Sequence, residues 1–79
     1  MTTQTLTTRL IALAAERFNK DATVLNASDD FFQTLGIDSL QALDLLTRLE
    51  EEFDVEIPDY ELAEVSTFAA LAGIIEQRI

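Results

Sequence analysis

One serine of this 79-residue chain has neighbours that favour chemistry at its hydroxyl group. The segment 35–40, LGIDSL, predicts a helix that begins at Ser39, because Asp38 is a preferred N-cap residue and Gln41 completes a capping box with it. Gly36 permits the backbone angles of a sharp turn before that helix. Ser39 then lies in the first helical turn, where free N–H groups and the helix dipole stabilise an attached anion such as a phosphodiester.

The residue types that are missing exclude most familiar catalytic sites. The chain has no histidine and no cysteine, so a serine–histidine triad, a cysteine nucleophile and a typical zinc site cannot form within it. Two glycines are too few for a phosphate-cradling loop, and the acidic segment lacks the ligand spacing of a calcium loop. We therefore predict no catalytic residue and no metal site. The residue types therefore give no indication of an enzyme.

The acidic residues are concentrated in one part of the chain. The formal net charge is −10, and ten of the fifteen acidic residues lie between positions 38 and 64, where Arg48 is the single positive residue. This charge repels nucleic acid and anionic membranes, and it attracts basic protein surfaces. The clustering predicts a docking surface for basic protein partners. Solvation of the surface is the other explanation of an acidic composition.

Length and composition predict a single domain over residues 1–79. The absence of cysteine gives no disulfide framework and no indication of secretion. The apolar stretch 10–15 is too short to span a membrane, and the polar N-terminus with one arginine does not resemble a signal peptide. We expect a cytoplasmic monomer that neither inserts into membranes nor binds nucleic acid.

The spacing of apolar residues predicts an all-α fold. The predicted helices cover residues 3–18, 39–53, 59–64 and 68–79. Ser66 or Thr67 is expected to cap the last helix, and a short hydrophobic segment precedes the turn at Gly36. A long loop over residues 19–30 follows the first helix, and Val24 and Leu25 are expected to anchor it to the core. The predicted architecture is a small four-helix bundle with three main helices and one short helix.

The helix over residues 39–53 is amphipathic, with two leucines off its core face. The residues that share the predicted core face are Ala42, Leu45, Leu46, Leu49 and Phe53. Leu40 falls among the polar residues of the opposite face, and Leu43 lies at the flank of that face. Singly exposed leucines are common. Apolar anchors among acidic residues nevertheless suit a helix that docks onto basic, partly apolar partners.

The segment 36–40, GIDSL, resembles the G-x-D-S-L signature of acyl carrier proteins. The similarity continues through 49–53, LEEEF, and 57–59, IPD, and it extends over residues 6–76. The resemblance implies that Ser39 is modified with 4′-phosphopantetheine by a phosphopantetheinyl transferase that uses coenzyme A. The thiol of this group would carry acyl groups as thioesters. The chain would move them between enzymes of fatty-acid, polyketide or related specialised biosynthesis.

The resemblance also implies roles for particular residues. Asp38 would help to engage the transferase and its magnesium ion. The residues expected to dock on basic surfaces of partner enzymes are Asp38, Leu40, Gln41, Leu43, Asp44, Glu50, Glu51, Ile57 and Asp59. The residues expected to line an expandable cavity for the acyl chain are Phe31, Leu45, Leu49, Leu62, Val65 and Leu71. Plain core packing is the alternative role of these six side chains.

The pathway is less determined than the carrier role. Gln41 stands where fatty-acid carriers commonly have an acidic residue, and Arg48 stands where a small or apolar residue is frequent. The segment 30–32, DFF, is similar to carriers of polyketide and nonribosomal-peptide systems. A specialised pathway is therefore indicated at least as well as primary fatty-acid synthesis. Two alternatives stay open: a carrier of an aminoacyl group, of the D-alanine or nonribosomal-peptide type, and an unmodified acidic helical adaptor.

Overall fold

The computed structural model describes residues 3–79, and the regular elements of this range are helices. The elements are α1 (Thr3–Arg17), a 3-10 turn (Ala22–Val24), α2 (Phe31–Leu35), α3 (Ser39–Phe53), α4 (Asp59–Leu62) and α5 (Phe68–Arg78). The prediction of a small all-α bundle is confirmed. The short hydrophobic segment before Gly36 forms one more helix than we predicted, α2. Residues 1 and 2 of the predicted 1–79 domain lie outside the described range.

Side-chain caps explain where two of the helices begin. At the start of α2, the Asp30 carboxylate accepts the Gln33 N–H at 3.1 Å. At the start of α5, the Thr67 hydroxyl accepts the Ala70 N–H at 3.1 Å. Such bonds satisfy backbone donors that have no acceptor within the helix. Of the two caps predicted for the last helix, Thr67 is the one that functions, while Ser66 precedes it.

Left-handed backbone angles mark the ends of other helices. Asp54, the C-cap of α3, has φ +55°, so α3 ends at Phe53 as the sequence predicts. Asn19 has the same φ after α1, which ends one residue earlier than predicted. The short helix α4 ends at Leu62 and not at residue 64, because the chain continues in tighter turns: the Glu64 N–H donates to the Glu61 carbonyl at 3.2 Å, three residues before it.

The core consists of apolar side chains from α1, α3 and α5, supplemented by α2 and the connecting segments. Its fully buried larger side chains are Leu6, Leu10, Phe31, Leu45, Leu46, Leu49, Phe68, Leu71 and Ile75. Helix α1 packs most extensively against α5. The apolar spacing predicted these positions well, except at the C-terminus, where Ile79 lies after α5 and is exposed.

The long loop between α1 and α2 is ordered by backbone contacts with the segment before α5. Phe31 N–H donates to the Ser66 carbonyl at 2.8 Å, and Ala69 N–H donates to the Ala27 carbonyl at 2.9 Å. Asp30 and Thr67 form an isolated antiparallel bridge at the same place. We call these contacts the loop bridge.

Only one of the two residues predicted to anchor this loop does so. Leu25 is buried, whereas the prediction for Val24 is wrong, because its side chain is exposed at the end of the 3-10 turn. Asp21 caps that turn by accepting the N–H and the hydroxyl of Thr23, at 2.9 and 2.7 Å. Both hydrogen bonds favour the ionised carboxylate and lower the pKa of Asp21 below its usual value of 3.8.

Candidate functional site

The candidate site lies at the turn between α2 and α3. Gly36 ends α2 in the left-handed conformation, with φ +67°, and its N–H donates to the Phe32 carbonyl. The next N–H, of Ile37, donates to the same carbonyl at 3.1 Å, and the Ile37 side chain is buried. The turn is therefore fixed both by backbone bonds and by an apolar anchor. It directs the following residues outward at the start of α3.

The predicted capping box is present at the start of α3. The Asp38 carboxylate accepts the Gln41 N–H at 2.9 Å, and the Gln41 side-chain oxygen accepts the Asp38 N–H at 3.1 Å. The Asp38 carbonyl accepts the Ala42 N–H at 2.9 Å, the first bond of the helical ladder. Ser39 is thus the first residue of a 15-residue helix, and it is exposed.

The environment of Ser39 fits an attached phosphodiester. Among the described residues, no acceptor lies within hydrogen-bonding distance of the backbone N–H groups of Ser39 and Leu40. Such free donors, together with the positive end of the helix dipole, favour an anion at this position. The other two serines, Ser28 and Ser66, are exposed but do not begin a helix.

The outer side of α3 near Ser39 carries an exposed apolar side chain. Leu40 is 77% exposed. Leu43, predicted with it, is half-buried and packs against the core. Gln41 and Glu51 are exposed on the same helix, although the Gln41 side chain is held in the capping box. The docking roles of these residues stay predictions.

Two acidic residues of α3 form ion pairs with α1. Arg17 binds Asp44, with Nε to Oδ2 at 2.7 Å, and Arg9 binds Glu52 at 3.1 Å. Asp44 was predicted as a docking residue, and its charge is already balanced within the molecule. Neither arginine was predicted from the sequence as a partner of these acidic residues. The sequence pattern that could have indicated the pairs is the spacing of the arginines, eight positions, which equals the spacing of Asp44 and Glu52. This pattern can be interpreted only when α1 and α3 are known to be neighbours.

The predicted docking residues after Leu49 have different environments. The Glu50 carboxylate accepts the Ile57 N–H at 3.0 Å in a partly buried position, so it supports the segment between α3 and α4. The Ile57 side chain is buried against the core and is not available at the surface in this conformation. Asp59 is exposed at the start of α4. Glu50 and Ile57 are therefore placed for support of the fold, and their docking roles stay predictions.

Five of the six residues predicted to line an acyl cavity are buried. Phe31, Leu45, Leu49, Leu62 and Leu71 belong to the core, whereas Val65 is half-buried at its edge. Core packing is enough to explain the positions of these side chains, and the cavity role stays a prediction. No helix in residues 3–79 has the length and the apolar character needed to cross a membrane.

Comparison with known proteins assigns the family. The family described as "Phosphopantetheine attachment site" matches residues 8–75. Acyl carrier proteins of Rickettsia canadensis and Rickettsia prowazekii are each 30% identical over 77 residues, which cover 98% of this chain and 90% of theirs. The crystal structure of an acyl carrier protein from Thermotoga maritima superposes with a TM-score of 0.80 and 26% identity, covering 96% of this chain and 88% of that one.

A small helical bundle with an exposed serine at the start of an acidic helix is the architecture of a carrier protein. The chain belongs to the acyl carrier protein family. It is a carrier that synthase enzymes act upon and not itself a catalyst, and its cofactor is covalently attached 4′-phosphopantetheine.

Proposed function

We propose that Ser39 is the attachment residue of 4′-phosphopantetheine and that the chain carries acyl groups as thioesters on this arm. The observation that carries the proposal is the position of Ser39, exposed at the first residue of α3 beside two unpaired backbone N–H groups. In the modification, the Ser39 hydroxyl oxygen forms the new bond to phosphorus of coenzyme A and loses its proton. The adenosine 3′,5′-bisphosphate portion leaves.

The chain's own residues prepare this position without taking part in the chemistry. The capping box between Asp38 and Gln41 holds the first turn of α3, so that Ser39 is presented in one orientation. The Asp38 carboxylate belongs to the residue before the serine, and its proposed second role is to engage the transferase and its magnesium ion. The phosphopantetheine thiol supplies the thioester chemistry, and the protein supplies the attachment point and the surface that partners recognise.

We further propose that the cargo belongs to fatty-acid, polyketide or related specialised biosynthesis and that basic surfaces of the enzymes dock on α3. The exposed Leu40 follows Asp38 at the start of α3, and Glu51 is exposed further along the same helix; this combination suits brief contacts that join one apolar anchor with charge steering. Weak docking of this kind permits fast exchange between successive enzymes. An aminoacyl cargo is the second candidate, and the mass of the natural load distinguishes it from an acyl group.

The test is the intact mass of the protein after incubation with coenzyme A, magnesium and a broad-specificity phosphopantetheinyl transferase. Wild type is expected to gain one phosphopantetheine, and Ser39→Ala is expected to gain none. Ser28→Ala and Ser66→Ala are matched controls, because they remove the other two serines, which are also exposed. Both controls should be modified like wild type.

The possible results separate the candidates. Modification of Ser39→Ala would move the attachment to another residue and overturn the assignment. Two results together would favour an unmodified acidic adaptor: several transferases leave wild type unmodified, and wild type and Ser39→Ala bind the partners equally well.

A further inference from the structure

The seam between α1 and α3 has a regular arrangement of charges. Arg9 pairs with Glu52 at one end, and Arg17 pairs with Asp44 at the other. The two arginines are eight positions apart along α1, and their partners are eight positions apart in the reverse order along α3. The two helices therefore run antiparallel here. Arg48 lies midway between the two acidic residues on α3. One turn before it and one turn after it, the carboxylate is already paired with an arginine of α1.

An open groove lies along this seam beside Arg48. Its lining residues are Leu13, Glu16 and Arg17 from α1 and Asp44, Thr47, Arg48 and Glu51 from α3. The groove is therefore largely polar. Arg17 and Asp44 in its lining are paired with each other, whereas the guanidinium of Arg48 lies beside Glu16 and Glu51 without an ion pair in residues 3–79. The groove is continuous with the proposed docking side of α3, because Glu51 belongs to both.

Arg48 has no ion pair and no hydrogen bond from its side chain within residues 3–79. Its best helical partners are the carboxylates four residues before and after it, Asp44 and Glu52. Both are held by arginines of α1. The ion pairs with α1 thus leave an exposed guanidinium, with all its donors available, in the middle of the acidic helix.

We propose, on the basis of the docking function proposed above, that the groove receives an acidic side chain of the partner enzyme, which binds Arg48. The guanidinium presents a planar fork that matches a carboxylate with two parallel hydrogen bonds. A partner surface that carries only basic residues would place a like charge against Arg48 and lose affinity. The recognised partner is therefore a basic surface with one carboxylate opposite the middle of α3.

The charges around Arg48 favour a protein side chain over a free anion. Glu16 and Glu51 line the same groove and repel a small anion that arrives alone. A protein surface can present a carboxylate to Arg48 together with lysines or arginines for these two glutamates. Arg48 then contributes to selectivity, because it rejects partners that lack the acidic residue.

The test is whether substitution of Arg48 weakens or tightens binding to the partner enzyme. The probes are the condensing enzymes encoded in the same genome, titrated with the phosphopantetheine-bearing protein and with its Arg48→Glu and Arg48→Gln variants. With a partner carboxylate, Arg48→Glu weakens binding to the cognate enzyme about tenfold and Arg48→Gln weakens it by a smaller factor. With a wholly basic partner surface, both substitutions tighten binding, because they make α3 more acidic.

Lys20→Glu is the matched control for overall charge. It makes the same change in net charge as Arg48→Glu, and Lys20 is likewise exposed and without an ion pair within the described residues, but it does not line this groove. It is expected to leave binding unchanged or slightly tighter. In a second experiment, the acidic residues at the rim of the partner's surface are changed to lysine one at a time. One of these changes, and only one, should restore the binding of the Arg48→Glu variant.

The outcomes separate this inference from the proposed function. Wild type and each variant are first checked for helicity by circular dichroism and for the phosphopantetheine mass gain. If wild type gains no mass, the proposed function fails. If wild type is modified but every condensing enzyme binds Arg48→Gln and Arg48→Glu as tightly as wild type or more tightly, the inference alone is overturned. Lack of binding of modified wild type to any of these enzymes overturns it as well.

Discussion

At the scale of single residues, neighbouring carboxylates of this protein have different functions. Asp38 holds the start of α3 through the capping box, Glu50 holds the backbone of Ile57, and Asp44 is paired with Arg17. Glu51 is exposed and makes no such bond within residues 3–79. Charge alone therefore does not identify the docking residues. The hydrogen-bond partners divide the acidic surface into structural carboxylates and free ones.

Replacement of Asp38 should affect both stability and modification. Asp38→Ala removes the N-cap of α3 and is expected to lower the free energy of unfolding by about 1 kcal/mol. It should also slow phosphopantetheine transfer, because the serine is less firmly presented and the transferase loses an acidic contact. Asp30→Ala is the control, since it removes the equivalent cap of α2. Urea denaturation and the transfer rate measure the two effects, and equal transfer rates for both variants would contradict the role of Asp38.

Glu50 and Glu51 are adjacent in the sequence but should respond differently to substitution. Glu50→Ala is expected to lower the free energy of unfolding by about 1–2 kcal/mol, because the Ile57 N–H loses its charged acceptor in a partly buried position. Glu51→Ala should leave stability within about 0.5 kcal/mol, as for most exposed sites. Urea denaturation of the two variants gives the comparison. Equal losses would show that the bond to Ile57 contributes nothing.

The residue-scale predictions from the sequence succeeded where the interactions are local. The capping box joins residues three apart, so the types of Asp38 and Gln41 were enough to predict it. The pair between Arg17 and Asp44 joins different helices, and its prediction requires the packing of α1 against α3. The burial of Ile57 likewise depends on how the chain turns after α3. Local patterns specify caps, whereas surface availability is a property of the folded chain.

At the scale of elements, the turn between α2 and α3 depends on one backbone conformation. A side chain at position 36 would meet no atom within 4 Å, so only the positive φ of Gly36 opposes its replacement. Gly36→Ala is therefore expected to cost about 1–2 kcal/mol, because L-residues other than glycine avoid this region.

The other glycine is a matched control with the opposite sign. Gly73 lies inside α5 in helical conformation, and a side chain there also has free space. Gly73→Ala is expected to stabilise the protein by up to about 1 kcal/mol, through higher helix propensity and a less flexible unfolded chain. Thermal unfolding of both variants tests the pair. Destabilisation by both would mean that packing, and not the left-handed angle, determines the effect at position 36.

The helices with long apolar repeats were predicted to within a residue or two, and the short elements were not. Helices α1, α3 and α5 bury a continuous apolar face, which gives a clear period in the sequence. Helix α2 has five residues, too few to establish a period, and it is held by the Asp30 cap and the loop bridge. Helix α4 is shorter still and has no side-chain cap. Short helices of this kind depend on tertiary contacts more than on their own sequence.

At the scale of the whole molecule, the charge of −10 opposes folding. The ion pairs of Arg9, Arg17 and Arg78 with acidic residues are exposed or half-exposed, and each contributes little on its own. Raising the NaCl concentration from about 0.02 to about 0.5 M should therefore raise the melting temperature by several degrees, because repulsion is screened more than these pairs are weakened.

The matched variant for this experiment is the double substitution of Glu51 and Glu64 by glutamine. Both residues are exposed and have no ion pair within residues 3–79, so the change lowers the negative charge without breaking an ion pair. The double variant should melt at a higher temperature at low salt and respond less to added NaCl. A wild-type melting temperature that does not change with salt would show that repulsion is negligible in the folded state.

The loop bridge divides the chain in a way that the helix packing does not show. Because it joins positions 30 and 67, the segment between them forms a closed loop that contains Ser39, α3 and α4. Helices α1 and α5, which pack together most extensively, lie outside this loop. The two ends of the segment that contains Ser39 are therefore fixed to each other by the backbone, and this tether acts in addition to the ion pairs that hold α3 against α1.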